Sequence, residues 1–297
     1  MVPVQRVRRA RPVAARRAGA CVRRVACAPL APRVGDLAAN RALTLAAIGA
    51  ARRRGADLLV LPELATSGYV FADAAEARSV AVGADDRLLT DWAEAAGELT
   101  LVAGFCELGD DGALYNSAAV LDGDGVRAVY RKTHLWDREH LVFTPGSAPP
   151  PVVDTRAGRL GVLICYDLEF PELTRSLAMR GAEVIVAPVN WPLVARPPGE
   201  RPPEVVIAMA AARTNRVFAA ICDRTGTERG LRWTAGTTIL DESGWVLAES
   251  VEDALVVADL DPARARDKSL SGRNDALADR RPELYGTGEA QPGASAR

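Results

Sequence analysis

Short apolar runs of strand length alternate along the chain with Ala-rich stretches of helical period, the signature of an α/β architecture. The first helix is predicted to follow Asp36, whose carboxylate can cap a segment with apolar positions at Leu37, Leu45 and Ile48. Its last turn is rich in Arg, which suits a helix C-terminus, and Gly55 lies just beyond, where a left-handed residue commonly ends a helix. A strand is expected over residues 57–61, closed by Pro62, which cannot continue a ladder. Residues 101–107 read as another strand. Residues 115–121 pair with 126–131 across Asp122-Gly123-Asp124-Gly125, a hairpin that breaks pure β-α-β order. The later part repeats the scheme: strand 160–164, a helix from Pro171 in its first turn to Gly181 past its end, strand 184–187, helix 204–215 and strand 217–222. Two similar α/β halves are expected, with the Pro-rich stretch 196–203 as a loop between them. Residues 1–20 and 286–297 are expected to be a disordered basic arm and a disordered tail, leaving 21–285 as the folded domain.

Composition narrows the function. The chain has 297 residues, 48% apolar and 25% charged, enough to bury one large core. A formal net charge of −1 removes the electrostatic warrant for polyanionic partners, so no nucleic acid is expected. No apolar run approaches the ~18 residues of a membrane span, so no membrane partner is expected either. The first 35 residues hold nine Arg and no acid, yet lack the apolar stretch of a secretory signal. Five cysteines (Cys21, Cys27, Cys106, Cys165 and Cys222) are scattered without a C-x-x-C pair, which suits reduced thiols in a cytoplasm. With only His134 and His140 and no ligands repeated at metal spacing, neither metal nor cofactor is expected.

Three predicted strand ends carry a reactive side chain, and in α/β folds ligands bind at the carboxyl ends of strands. They are Leu61-Pro62-Glu63-Leu64, the stretch from Tyr130 through Lys132 to His134, and the run from Gly161 through Cys165 to Pro171. Each has a plain structural reading by itself: Glu63 as a cap, Lys132 as a surface charge, Cys165 as an inert core thiol. His134 reads as a hydrogen-bonded core or turn histidine.

Together they say more. The phrases LPELATSGY around Glu63, YRKTHLWDREHLVFTPG around Lys132 and Glu139, and ICYDLEFPE around Cys165 resemble the nitrilase superfamily of carbon–nitrogen hydrolases. APVNWP at 187–192, RTGTERG at 224–230 and WTAGTTI at 233–239 extend the resemblance over residues 22–285. It implies a four-layer α-β-β-α sandwich of two mixed sheets and a Glu63–Lys132–Cys165 triad. It also implies Glu139 as a second glutamate that positions the lysine, and assembly into a homodimer or higher oligomer aided by residues 273–285. Two departures stand out: Ala28-Pro29 replaces a glutamine of the first strand, and residues 212–215 lack a glutamate before Asn215.

The residue types suit the implied chemistry. An amide carbonyl is a poor electrophile, so its hydrolysis needs a strong nucleophile, a charge to hold the oxyanion and a proton for the departing amine. Cys165 would attack, Lys132 and the backbone N–H of Tyr166 would hold the oxyanion, and Glu63 would shuttle the proton. Tyr69, Trp136, Glu169, Asn190 and Trp191 are the candidate substrate contacts. Superfamily branches that take N-carbamoyl amino acids carry arginines just after the cysteine, where this chain has Leu168 and Glu169. An acid there disfavours carboxylate substrates, so the expected substrate is a small aliphatic amide, neutral or amino-bearing. The alternative is that Glu169 pairs with Arg175. A nitrilase or an N-carbamoyl-amine amidohydrolase would use the same triad, and a non-catalytic binding protein could share the fold.

Overall fold

The computed structural model describes residues 22–250 and 255–285; the arm expected at 1–20 and the tail expected at 286–297 lie outside the described residues. In chain order the strands are β1 (Arg23–Cys27), β2 (Leu58–Val60), β3 (Thr100–Leu108), β4 (Leu114–Asp122), β5 (Gly125–Arg131), β6 (Val152–Thr155), β7 (Gly158–Val162), β8 (Val184–Val189) and β9 (Phe218–Asp223). A small hairpin of β10 (Thr227–Glu228) and β11 (Leu231–Arg232) precedes β12 (Thr238–Leu240), β13 (Val246–Glu249) and β14 (Val256–Leu260). The main helices are α1 (Leu37–Arg53), α2 (Ala74–Arg78), α3 (Arg87–Ala96), α4 (Pro171–Met179) and α5 (Pro203–Asn215).

Two six-stranded mixed sheets result, ordered β14-β1-β2-β3-β4-β5 and β13-β12-β9-β8-β7-β6. Side-chain alternation then builds four layers. Val25, Cys27, Leu58 and Val60 point into the core shared with the second sheet, while Ala26, Leu59 and Leu61 point outward against α1 and α3. On the far side α4 and α5 cover the second sheet through Leu177, Ala178, Val205, Ala208 and Ala212. The α-β-β-α sandwich implied by the motifs is the fold observed.

Local chemistry explains the elements. Asp36 Oδ1 accepts from Ala39 N at 3.0 Å and starts α1. Gly55 (φ +66°) ends it, with the N–H groups of Gly55 and Ala56 on the carbonyls of Arg52 and Ala51. α3, not anticipated in the sequence, is capped by Asp86, and its buried Trp92 donates to Thr44 Oγ1 on α1 at 2.9 Å. The two outer helices are thus joined by a hydrogen bond as well as by packing.

The halves repeat as expected. Each sheet has three adjacent parallel strands, β1-β2-β3 and β7-β8-β9, flanked by one antiparallel strand on one side and two on the other. The Pro-rich stretch does not join them. It lies inside the second half, between β8 and α5, where Pro203 begins the helix; the halves are joined by residues 132–151. β7 also stops two residues short of the expected end at 164, because the chain turns there around Asp167. Among the described residues no helix is long and apolar enough to cross a membrane.

Candidate active site

At the end of β2 the ladder continues for one residue, Leu61 N on Val102 O at 2.9 Å, before Pro62 diverts the chain. Glu63 is then held against β3 by a glycine. A Cβ at Gly104 would lie 2.6 Å from Glu63 Cα and 2.5 Å from Leu64 N, so only glycine lets the two backbones approach. From the second sheet, Asn190 Nδ2 donates to the Glu63 carbonyl at 2.9 Å. The carboxylate that results has no solvent exposure.

β5 delivers Lys132 to the same point. Its N–H bonds Asn116 O and its carbonyl accepts from Gly146 N, both at 2.8 Å. The side chain is fully enclosed, with Nζ 2.8 Å from Glu63 Oε1 and 2.7 Å from Glu139 Oε1. Glu63 Oε1 also accepts from Asn116 Nδ2 at 2.7 Å, and Glu139 Oε1 from the Tyr69 hydroxyl at 2.6 Å. Glu63 Oε2, equally buried, has no partner among the described residues.

Cys165 opens a single helical turn, Cys165–Glu169, with φ at +47°, a conformation unusual for a side-chain-bearing residue and stored by the surroundings. Asp167 supplies those surroundings. Its oxygens accept from Ile164 N (3.2 Å), Tyr130 OH (2.8 Å), Thr133 Oγ1 (3.0 Å) and His134 N (3.1 Å), tying the cysteine turn to the segment that carries Lys132. His134 has the turn role expected of it, with Nδ1 2.9 Å from Asp167 Oδ1 and its ring stacked on Phe170 at 3.6 Å.

Burial sets the charge states. Loss of water pushes the Glu63 carboxyl up to about 7; Lys132 pulls it down and Glu139 pushes it further up. Burial works against the Lys132 ammonium, but Glu63 and Glu139 outweigh it and hold its pKa well above the usual lysine value. Burial raises the Cys165 thiol, Glu63 adds to that, and Lys132 opposes both. The three side chains therefore act on one another electrostatically.

The thiol borders a cavity of about 440 Å³. Four of the five candidate substrate contacts, Tyr69, Trp136, Glu169 and Trp191, line it, as do Tyr166 and Glu139. Asn190 does not: it is buried behind the wall, its side chain holding the Glu63 backbone. Arg175 does not pair with Glu169, because its guanidinium donates to Ala276 O and Thr214 O. Among the described residues no group of His, Cys, Asp and Glu could hold a metal ion.

The profile of one family, described as carbon-nitrogen hydrolase, matches residues 24–268. The chain belongs to this family. Its relatives in the nitrilase superfamily include a protein named nitrilase from Pyrococcus abyssi, 37% identical over 79% of this chain and 88% of its own length. An (R)-stereoselective amidase from a Pseudomonas species is 36% identical over 89% and 93%. Among solved structures, an amidase from a Nesterenkonia species superposes with a TM-score of 0.73 at 31% identity, covering 88% of this chain and 94% of that one. A variant of that amidase carries acrylamide added at its active-site cysteine.

Several supports of this carbon–nitrogen hydrolase site were not singled out in the sequence. Asn116 and Asp167 are buried polar residues at strand ends or turns, and their roles depend on partners far away in the chain. Asp223, at the end of β9, accepts from Trp191 N, Arg224 N and Gly236 N at 2.8–3.0 Å and so fixes the wall that Trp191 forms. Glu228 receives Tyr69 N and Val70 N and pairs with buried Arg224 at 2.7 Å, which anchors the Tyr69 wall. The sequence marks this neighbourhood through the phrase RTGTERG at 224–230, but not these contacts.

Proposed function

We propose that this carbon–nitrogen hydrolase is an amidase that releases ammonia and a carboxylic acid from a small aliphatic amide, neutral or amino-bearing, through a thioester on Cys165. The observation that carries the reading is the Lys132 ammonium bridging Glu63 and Glu139 beside a cysteine that borders the cavity. In the resting site the thiol is protonated, since burial raises it. As Sγ attacks the carbonyl carbon, its proton passes to Glu63 and the carbonyl π electrons move to oxygen, where Lys132 and the Tyr166 N–H receive the charge. When the oxyanion collapses, the C–N bond breaks and Glu63 gives the proton to the leaving nitrogen. Water then attacks the thioester and loses a proton to Glu63; as the C–S bond breaks to release the acid, Glu63 returns that proton to the departing sulfur, regenerating the thiol and the carboxylate. Glu63 Oε2 suits the shuttle because Oε1 is already committed to Lys132 and Asn116.

The named relatives favour an amide or nitrile substrate over other carbon–nitrogen bonds. Paired assays with propionamide and propionitrile, read by ammonia release and by an intact-mass shift on Cys165, test the reading. Amide turnover with a propionyl adduct that Cys165→Ala abolishes is expected; activity on the nitrile alone would overturn it. Pairing of two copies in a cytoplasm belongs to the same reading. Exposed Leu284 and Tyr285 near the end of the described chain offer apolar surface for pairing, and light scattering would measure it.

A further inference from the structure

The cavity holds charge that the triad does not use. Five charged residues line it: Asp137, Arg138, Glu139, Glu169 and Glu204. Glu139 is spoken for by Lys132 and Tyr69. Arg138 makes no ion pair with the remaining acids among the described residues, and it is exposed at the rim. Glu169 ends the cysteine turn, and Glu204 is the second residue of α5, the helix that packs against that turn. Neither has a cation beside it among the described residues; Glu169 is exposed, and Glu204, itself half-buried, turns Oε2 away from solvent with no hydrogen-bond partner among the described residues.

Glu204 has a plain role available, since an acid in the first turn favours a helix. That role does not explain a carboxylate oxygen turned out of solvent with no donor from the described residues, an arrangement that is costly unless a donor enters. Nor does it explain why a second carboxylate shares the wall. Burial and the charge of Glu204 both raise the Glu169 carboxyl, the mark of like charges with no counterion between them. Apart from Asp137, Arg138 and Glu139, the rest of the cavity wall is apolar or aromatic, with Trp136, Tyr166, Trp191, Pro192, Val194 and Leu231 among it. Such a surface accepts an alkyl stem and offers an ammonium head aromatic faces as well as carboxylates.

We propose that Glu169 and Glu204 form a cation subsite that selects amides carrying a protonated amine on a short alkyl stem, remote from the scissile bond. The inference rests on the amidase reading of the same cavity for its substrate class, but the subsite itself can be read without turnover. A primary ammonium would donate to both carboxylates while the stem lies on the apolar wall, which leaves the amide end for Cys165. A carboxylate-bearing amide would be excluded by the same charges.

The test compares kcat/KM for β-alaninamide and propionamide in the wild type, Glu169→Gln, Glu204→Gln and the double variant. The ratio of the two substrates should fall by about tenfold in each single variant and further in the double, chiefly through KM, the size of one well-placed ion pair. An unchanged ratio overturns the proposal. A second measurement separates it from the amidase reading: butylammonium should slow iodoacetamide labelling of Cys165 in the wild type and fail to do so in the double variant. Protection with no amide turnover would overturn only the amidase reading. Absence of protection in the wild type would overturn the subsite, whatever the turnover.

Discussion

Lys132 donates to Glu63 at 2.8 Å with both side chains cut off from solvent. One ammonium here bridges two acids, since Glu139 stands on its other side at 2.7 Å. A buried charge that loses its partner is far costlier than the pair was worth. Lys132→Met should therefore lower stability by about 3–5 kcal/mol in urea unfolding as well as cutting amide turnover at least about a thousandfold. A variant as stable as the wild type would mean that the buried acids do not depend on this lysine.

The pH profile should follow Glu63. Its carboxyl lies at about 7, and the protonated form below that value cannot accept the thiol proton. kcat/KM is expected to fall about tenfold per unit as pH drops below about 7. Two substitutions should move this limb in opposite directions. Glu139 pushes the Glu63 pKa up, so Glu139→Gln shifts the limb to lower pH; Asn116 hydrogen-bonds the charged form and holds the pKa down, so Asn116→Ala shifts it to higher pH. Displacement of both limbs in the same direction would show that another group titrates.

Much of this site was legible in the sequence because its reactive residues sit at strand ends inside local phrases. Glu63, Lys132 and Cys165 are placed by Pro62, by the 115–131 hairpin and by the turn before Pro171, all features of a few neighbouring residues. What escaped was tertiary. α3 is the exception, a local signal passed over: Asp86 caps it, Gly97 ends it and its buried Leu88, Leu89, Trp92, Ala93 and Ala96 follow the helical period, whereas the strands β12 to β14 are too short for period-two alternation to declare itself. Asn190 stands in a recognisable phrase, yet only the facing of two sheets turns its amide toward the Glu63 backbone rather than the cavity. Glu204 drew no functional reading in the sequence, being only the start of the helix expected over 204–215, because the cavity it lines is made by residues from five other segments.

Gly104 offers a test of how tightly Glu63 must be placed. A methyl group at 104 would meet only backbone, Leu64 N at 2.5 Å, Glu63 Cα at 2.6 Å and Pro62 O at 2.7 Å, and none of these is the end of a flexible chain. Gly104→Ala must move β3 or Glu63 by several tenths of an ångström. Since catalytic groups tolerate little displacement, turnover should drop by about a hundredfold. Gly112→Ala, in the open turn before β4 where nothing lies within 4 Å, is the control for general strain at a positive φ and should retain most of its activity.

Asp167 makes the most exacting prediction, because its partners leave no room for an isostere. Oδ2 receives Tyr130 OH and Ile164 N, and Oδ1 receives Thr133 Oγ1 and His134 N. In Asp167→Asn the amide nitrogen must replace one of these oxygens, and either choice points N–H at a backbone N–H that cannot turn away. The hydroxyls of Tyr130 and Thr133 can rotate to accept; Ile164 and His134 cannot. The buried clash should cost about 2–3 kcal/mol, whereas Tyr130→Phe, which removes one contact and leaves Ile164 N, Thr133 Oγ1 and both His134 nitrogens, should cost about 1 kcal/mol. The clamp also joins the Lys132 segment to a cysteine held at φ +47°. Loosening it should therefore slow iodoacetamide labelling of Cys165 and lower kcat more than it raises KM. If Asp167→Asn lost stability while labelling rate and kcat stayed at wild-type values, the clamp would hold the fold without holding the nucleophile.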